Sequence, residues 1–324
     1  MKAAVVAEGS VQVQDVPEPR PKPNEVLVRV RAAGLNRADL GVAAGQAHGR
    51  MGGPGTVLGL EFAGEVVEVG ADVPGGIRPG QRVMASGNGG YAEYAVADWG
   101  RVSPLPDANM GWEVAATLPV ALQTMHDAVV TNGALAAGES VLIQGASSGV
   151  GLMGMQIAKA MGAGLVLGSS TDPGRRERLG EFGCDVAVDT GAHDWPDRVL
   201  EATGDKGVGL IVDQVSGPVA NGNLRCCAIL GRIVNVGRLG GARGEFDFDL
   251  HALRRIRYVG VTFRTRSVEE VREINRRMRA DLWAAVEAGG LRLPIDRVFP
   301  LAEAAEALAH MRANRHFGKI VLAC

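Results

Sequence analysis

The sequence predicts an α/β protein built from a β-rich domain and a doubly wound, parallel-sheet domain. Three observations carry that reading. Short β-branched runs with turn punctuation fill the first third, strands and helices alternate from about Pro119, and a glycine-rich turn follows the first alternating strand.

In the first third, the runs at 3–7, 11–16, 26–33, 64–69 and 82–85 have the length and composition of strands. Pro17, Pro19, Pro21 and Pro23 stand at every second position, which removes amide donors and predicts an extended connection without a ladder. From Pro119 onward, strands are expected at 140–144, 165–168, 186–188, 209–213 and 231–236, with helices between them. Strand plus crossover recurs every roughly 20–25 residues, which implies parallel pairing through right-handed connections. This domain is expected to end near Gly260. Beyond it, Val268, Val271, Ile274 and Met278 recur at helical spacing, so 267–289 reads as an amphipathic helix opened by a Ser267–Glu270 capping box. A short helix over 301–311 and a last strand over 319–323, returning to the first domain, complete the series.

A chain of 324 residues with 46% hydrophobic content is long enough for two domains, each with its own core. The formal net charge of -2 gives no broad basic field, so neither nucleic acid nor membrane is an expected partner and small molecules are. The stretch 140–158 carries no charge, yet Gln144, Ser147, Ser148 and Gln156 interrupt it, and it reads as strand, turn and helix rather than a membrane span. The apolar run at 3–7 is too short for a secretory signal, and a cytoplasmic location is expected. Cys184, Cys226, Cys227 and Cys324 form no CxxC pair, which argues against a zinc knuckle and a disulfide scaffold. The 46 glycines imply many turns and close backbone approaches.

The strongest local signal is Gly145-Ala146-Ser147-Ser148-Gly149-Val150-Gly151, placed after the apolar 141–144 strand and before a helix. Glycines there let backbone amides approach a pyrophosphate, and the helix start adds positive potential. The pattern approximates the GxGxxG fingerprint. At the end of the next strand, where an NAD-preferring protein normally carries an acid against the ribose, this chain has Ser169 and Ser170, followed by Arg175 and Arg176. Hydroxyls and guanidinium groups suit a 2′-phosphate, so NADPH is the expected cofactor, with Asp172 opposing that choice.

With 33–39 (including Asn36 and Asp39), 58–64, 79–83, 89–94 and 317–322, the glycine turn resembles the medium-chain dehydrogenase/reductase superfamily over nearly the whole length, and within it the zinc-independent, zeta-crystallin-like quinone oxidoreductases. The resemblance implies a GroES-like catalytic domain from residues 1–120 and 261–324, and an inserted Rossmann NADPH-binding domain from 121–260, with the active site in the cleft between. A homodimer is usual in this group. Zinc-dependent relatives place Cys where this chain has Asn36, His where it has Leu60, and a third ligand near Ala121, and 87–106 lacks the cysteines of a structural zinc lobe, so no metal site is expected.

The implied activity is NADPH-dependent hydride transfer to a quinone or α,β-unsaturated carbonyl. The alternatives are an enoyl-thioester reductase and a non-catalytic, crystallin-like NADPH-binding protein. Asn36 is the expected catalytic residue, orienting substrate or nicotinamide ribose, and Tyr91 the tyrosine to watch as a proton donor. Cofactor contacts carry over to Thr124, Val236, Gly237 and Lys319. Many relatives have a substrate-contacting tyrosine shortly after the Asn-x-x-Asp motif; residues 44–48 here lack one and offer His48. Specificity is expected in the 41–56 and 240–263 loops, with Arg50, Arg264 and Arg266 as candidate basic rim residues for an acyl carrier.

Overall fold

The computed structural model describes residues 1–7, 10–49, 51–106 and 109–324; Arg50 lies outside the described residues. The chain divides into two compact units, one formed by Met1–Val120, Phe263–Glu287 and Arg292–Cys324, the other by Ala121–Thr262 and Ala288–Leu291.

The first unit opens with β1 (Lys2–Ala7), β2 (Ser10–Asp15) and β3 (Glu25–Gly34), then α1 (Arg37–Ala43), β4 (Glu61–Val69), β5 (Arg82–Ser86), β6 (Tyr94–Asp98), β7 (Val102–Pro104) and α2 (Trp112–Ala115). After α3 (Pro119–His126), the second unit runs β8 (Ser140–Gln144), α4 (Gly149–Ala160), β9 (Leu165–Ser169), α5 (Pro173–Glu177), β10 (Val186–Val188), α6 (Trp195–Ala202), β11 (Val208–Asp213), α7 (Ala220–Cys226), β12 (Cys227–Asn235), α8 (Phe248–Arg254) and β13 (Arg257–Gly260). The chain then completes the first unit with α9 (Val268–Glu287), β14 (Ile295–Pro300), α10 (Ala304–Arg312) and β15 (Lys319–Ala323).

In the first unit, a sheet of order β14-β15-β3-β4-β5-β7 also carries β6 on β3, while β1 and β2 pair separately. The last strand lies antiparallel to β3, with Val321 opposite Gly34, so residues near both ends of the chain share one ladder. Val26, Val28, Val30, Phe62, Val83 and Leu322 fill its core. The 17–23 proline segment forms no strand, because alternate residues lack the donor a ladder needs. Helix α9 begins as the sequence predicts: Ser267 N donates to Glu270 Oε2 at 2.7 Å and Glu270 N to Ser267 Oγ at 3.2 Å.

In the second unit, the parallel sheet has the order β10-β9-β8-β11-β12-β13, which reverses direction at β8. Doubly wound sheets bind ligands outside the carboxyl ends of the strands at that switch point, and the glycine turn is placed there by β8. Leu142, Leu167, Ile211 and Ile233 pack the sheet.

Strands β6, β7, β13 and β14 escape the sequence reading. β7 is three residues long, and β13 and β14 are edge strands with mostly exposed residues, so neither length nor alternation marks them. The 240–263 segment is not one loop: it holds α8 and the sixth strand of the parallel sheet. The 140–158 stretch is a strand, a turn and a helix, and among the described residues no helix is long and apolar enough to cross a membrane.

The turn between β8 and α4 depends on two glycines. Gly145 has φ +70, and a Cβ on Gly151 would lie 2.5 Å from Gly145 O and 2.7 Å from Ala146 Cα. Gly151→Ala is therefore expected to destabilise the protein by about 1–3 kcal/mol despite the better helix propensity of alanine. Gly180→Ala, with nothing within 4 Å of the added carbon, is the control. Urea unfolding checks both, and equal midpoints would contradict the packing argument.

Candidate functional site

The first unit buries a cluster of polar groups around Asn36, the residue that immediately precedes α1. Lys319, at the start of β15, is 4% exposed. Its Nζ donates to Leu35 O at 2.7 Å, Asn36 Oδ1 at 3.1 Å and Glu61 Oε1 at 2.5 Å. An ammonium has three protons, and these three acceptors match them. Glu61, at the start of β4, also accepts from Asn36 Nδ2 at 2.9 Å and, through Oε2, from Val120 N at 2.8 Å. Both ends of the Asn36 amide are thus fixed: oxygen to the cation, nitrogen to the carboxylate. The remaining Nδ2 contact is a long one, 3.4 Å to Gly34 O.

Asp39, in α1, sits beside this cluster. Its Oδ2 accepts from Asn36 N at 2.7 Å and from Tyr91 Oη at 2.6 Å, while its Oδ1 has no hydrogen-bond partner. Burial pushes the Asp39 carboxyl up from 3.8 to about 6, outweighing the hydrogen bonds from Tyr91 and Asn36 that lower it. Tyr91 has no exposed surface, and burial, with the neighbouring Asp39, holds its phenol well above 10. Its hydroxyl serves Asp39.

In the second unit, Ser148 caps α4, its Oγ accepting from Gly151 N at 3.0 Å. Gly149 and Val150 follow as the first two helical residues, whose amides have no carbonyl to reach within the helix. No acid stands in that first turn. Ala146 N donates to Ser169 O at 2.8 Å, and Ser170 Oγ to Ser147 Oγ at 3.1 Å, so the turn and the end of β9 form one surface. Val236 and Gly237 are held by Asp213 O at 2.8 and 3.2 Å. Thr124 is half-buried on α3, next to Met125, which lies against Gly154 of α4.

Two family models match the chain: residues 22–107 match the alcohol dehydrogenase GroES-like domain, and residues 149–279 the zinc-binding dehydrogenase domain. The quinone oxidoreductase of Sus scrofa is 30% identical over 323 residues, covering 95% of this chain and 92% of that protein. The chain belongs to the quinone oxidoreductase family of medium-chain dehydrogenases and reductases. It is also 31% identical over 313 residues to a phenolphthiocerol/phthiocerol polyketide synthase of Mycobacterium tuberculosis, but spans only 14% of that protein's length. Among solved structures, mycobacterial Rv1454c complexed with NADPH superposes with a TM-score of 0.88 at 25% identity, with 100% of both chains covered.

For an oxidoreductase of this family the glycine turn fits a dinucleotide: it presents amides without an opposing acid, and at Gly151 it has no room for a side chain. Two residues expected to touch the nucleotide face elsewhere. Ser169 is 1% exposed and turned inward, its hydroxyl donating to Gln144 Oε1 at 2.6 Å and accepting from Gly145 N at 2.9 Å. Lys319 is committed to the Asn36 cluster, so its ammonium keeps no proton for a cofactor contact. Arg176 binds Ser170 O at 2.8 Å and Asp189 Oδ2 at 3.0 Å, and Arg175 lies 4.0 Å from Asp172. Among the described residues, no three His, Cys, Asp or Glu side chains are grouped to hold a metal ion.

Sequence reading gave Glu61, Gln144, Gln214 and Asp39 no role of their own. Glu61 carried a signal, an acid opening an apolar strand. The Gln214 amide, which donates to Gln144 O at 3.1 Å, carried none.

Two measurements test the cluster. Lys319→Met strands the buried Glu61 carboxylate and is expected to cost about 3–5 kcal/mol, part of which Glu61→Gln in the same chain restores; urea denaturation of the single and double variants reads this. For Asp39, the folded state holds the proton more tightly than the unfolded state, so its stabilisation is full below 3.8 and is lost as pH rises through about 6. Asp39→Asn keeps an acceptor oxygen and removes that slope; unfolding midpoints from about pH 4 to 7 are expected to change less in the variant than in the parent.

Proposed function

We propose that the chain is a zinc-independent, NADPH-dependent reductase that adds hydride to the electron-poor carbon of a quinone or α,β-unsaturated carbonyl. The observation that carries this reading is the Asn36 amide, which is buried, oriented at both ends, and occupies a position where zinc-dependent relatives place a cysteine ligand.

On this reading the second unit holds the nucleotide and the first unit the substrate. NADPH, when bound, supplies the hydride. Hydride addition to a conjugated carbonyl moves negative charge onto oxygen, so the protein must offer a donor there. Asn36 Nδ2 has one proton on Glu61 and a second with only the long Gly34 contact, and that second proton is the donor we assign to the substrate oxygen. Lys319 on Asn36 Oδ1 polarises the amide and strengthens its N–H as a donor. Tyr91 supports the site by holding Asp39, which in turn fixes the Asn36 backbone. The preference for NADPH rests on Ser169 and Ser170, which leave no carboxylate at the end of β9 to repel a 2′-phosphate, and on the NADPH-bound structural relative.

A second reading, reduction of an enoyl thioester, is favoured by the similarity to the polyketide synthase. Metal-stripped protein assayed in chelator with NADPH and NADH against 1,4-benzoquinone, 9,10-phenanthrenequinone, a simple enone and crotonyl thioester separates the two. NADPH-selective turnover with a quinone or enone is expected, and Asn36→Ala is expected to lower kcat on the order of 10²-fold. Dependence on added zinc, or no turnover with any acceptor, would overturn the proposal.

A further inference from the structure

A buried chain of side chains runs beneath the carboxyl ends of four adjacent strands in the second unit. Gly145 N donates to Ser169 Oγ at 2.9 Å, Ser169 Oγ to Gln144 Oε1 at 2.6 Å, Gln144 Nε2 to Asn223 Oδ1 at 2.7 Å, and Asn223 Nδ2 to Asp213 Oδ2 at 3.0 Å. The other oxygen of Asp213 accepts from Val215 N at 2.8 Å and Ser216 N at 2.9 Å, and Ser216 Oγ donates to Gly237 O at 2.7 Å. Gln144, Asn223 and Asp213 have no exposed surface. The series therefore joins the glycine turn after β8, the end of β9, the turn after β11 and the loop after β12.

Chemistry fixes the direction of every link. The Ser169 hydroxyl receives the Gly145 amide proton and donates its own to Gln144 Oε1. That turns the nitrogen of Gln144 toward Asn223, whose oxygen must accept. The Asp213 carboxylate, which accepts protons from two backbone amides, takes the Asn223 nitrogen as a further donor. The neutral amide at 223 accepts from one side and donates to the other. A leucine of similar size does neither, and an ionised carboxylate can only accept.

We propose that Asn223 is a positioning residue for the dinucleotide, setting the glycine turn and the Val236–Gly237 loop as one unit without touching the ligand. The proposal rests on the reading that the second unit binds the nucleotide. A fully satisfied buried network specifies one arrangement, and cutting it at its middle leaves the glycine turn and the Val236–Gly237 loop joined through Gln214 and backbone bonds alone.

The charged and titratable groups facing this part of the chain are Arg238 and Tyr258, which interact with Asp213, and Cys226, whose thiol lies 3.8 Å from Asn223 O. Burial raises the Tyr258 phenol and the Cys226 thiol, and burial outweighs the hydrogen bonds on Asp213 to raise its carboxyl as well.

The test compares NADP+ affinity, by titration calorimetry, in the parent, Asn223→Leu and Asn223→Asp at several pH values. Unfolding midpoints are measured alongside. In Asn223→Asp a protonated carboxyl restores both links, with its O–H on Asp213 and its carbonyl accepting from Gln144. We expect its affinity to match the parent near about pH 5.5 and to fall about tenfold below the parent by about pH 8.5, where loss of the shared proton leaves two facing carboxylates that repel each other. Asn223→Leu is expected to bind about tenfold more weakly than the parent at every pH. Lower unfolding midpoints with unchanged NADP+ affinity in both variants would overturn the positioning role. Failure of the folded parent to bind either NADP+ or NAD+ would instead overturn the reading of the second unit, and the proposal with it.

Discussion

The first unit depends on one buried ion pair. Lys319 and Glu61 stand 258 positions apart, with side chains 4% and 0% exposed, and each is surrounded by further partners: Leu35 O and Asn36 Oδ1 for the cation, Val120 N and Asn36 Nδ2 for the carboxylate. Desolvating two charges offsets most of their attraction, so such a pair contributes specificity more than net stability. What it specifies here is the direction of one amide. The ladder between β15 and β3 brings Lys319 to the end of β3, the β3–β4 pairing brings Glu61 there, and Asn36 follows between them. The core of alternating valines and alanines is what makes that convergence repeatable.

The second unit uses the same device with amides and a hydroxyl that end on the Asp213 carboxylate. Its glycine turn is conformationally demanding, and the backbone alone does not hold it: Ser169 takes the Gly145 amide, and the Gln214 amide reaches Gln144 O. In both units the polar residues closest to the proposed chemistry are themselves oriented by buried partners, each hydrogen-bonded in turn. Preorganised donors need no rearrangement when charge develops, which is the condition electrostatic catalysis requires.

Much of this was legible in the chain. The parallel sheet follows from strand plus crossover repeats, and the turn at 145–151 from an apolar run ending in small residues, both local signals. The capping box of α9 is local too. The edge strands β13 and β14 were not legible, because both are mostly exposed and β13 has only four residues. At the site, Asn36 stood out only because the surrounding motif is shared with a family. Its partners lie 25 and 283 residues away, and no local pattern marks such a distance. Ser169 and Lys319 were seen as residues but not as geometries. A hydroxyl at a strand end can face a ligand or the protein, and Gln144 on the neighbouring strand decides it; an ammonium beside a loop can face a phosphate or a carboxylate, and Glu61 decides that.

On the proposed reading, a buried charge cluster works through the Asn36 amide without a metal. A double-mutant cycle on single-turnover hydride transfer in chelator addresses it most directly, pairing Asn36→Ala with the charge-neutral Lys319→Met/Glu61→Gln replacement. If the cluster acts through Asn36, the combined variant is no slower than the slower of its two parents. Multiplying losses, or hydride transfer that appears only when zinc is restored, would contradict the account.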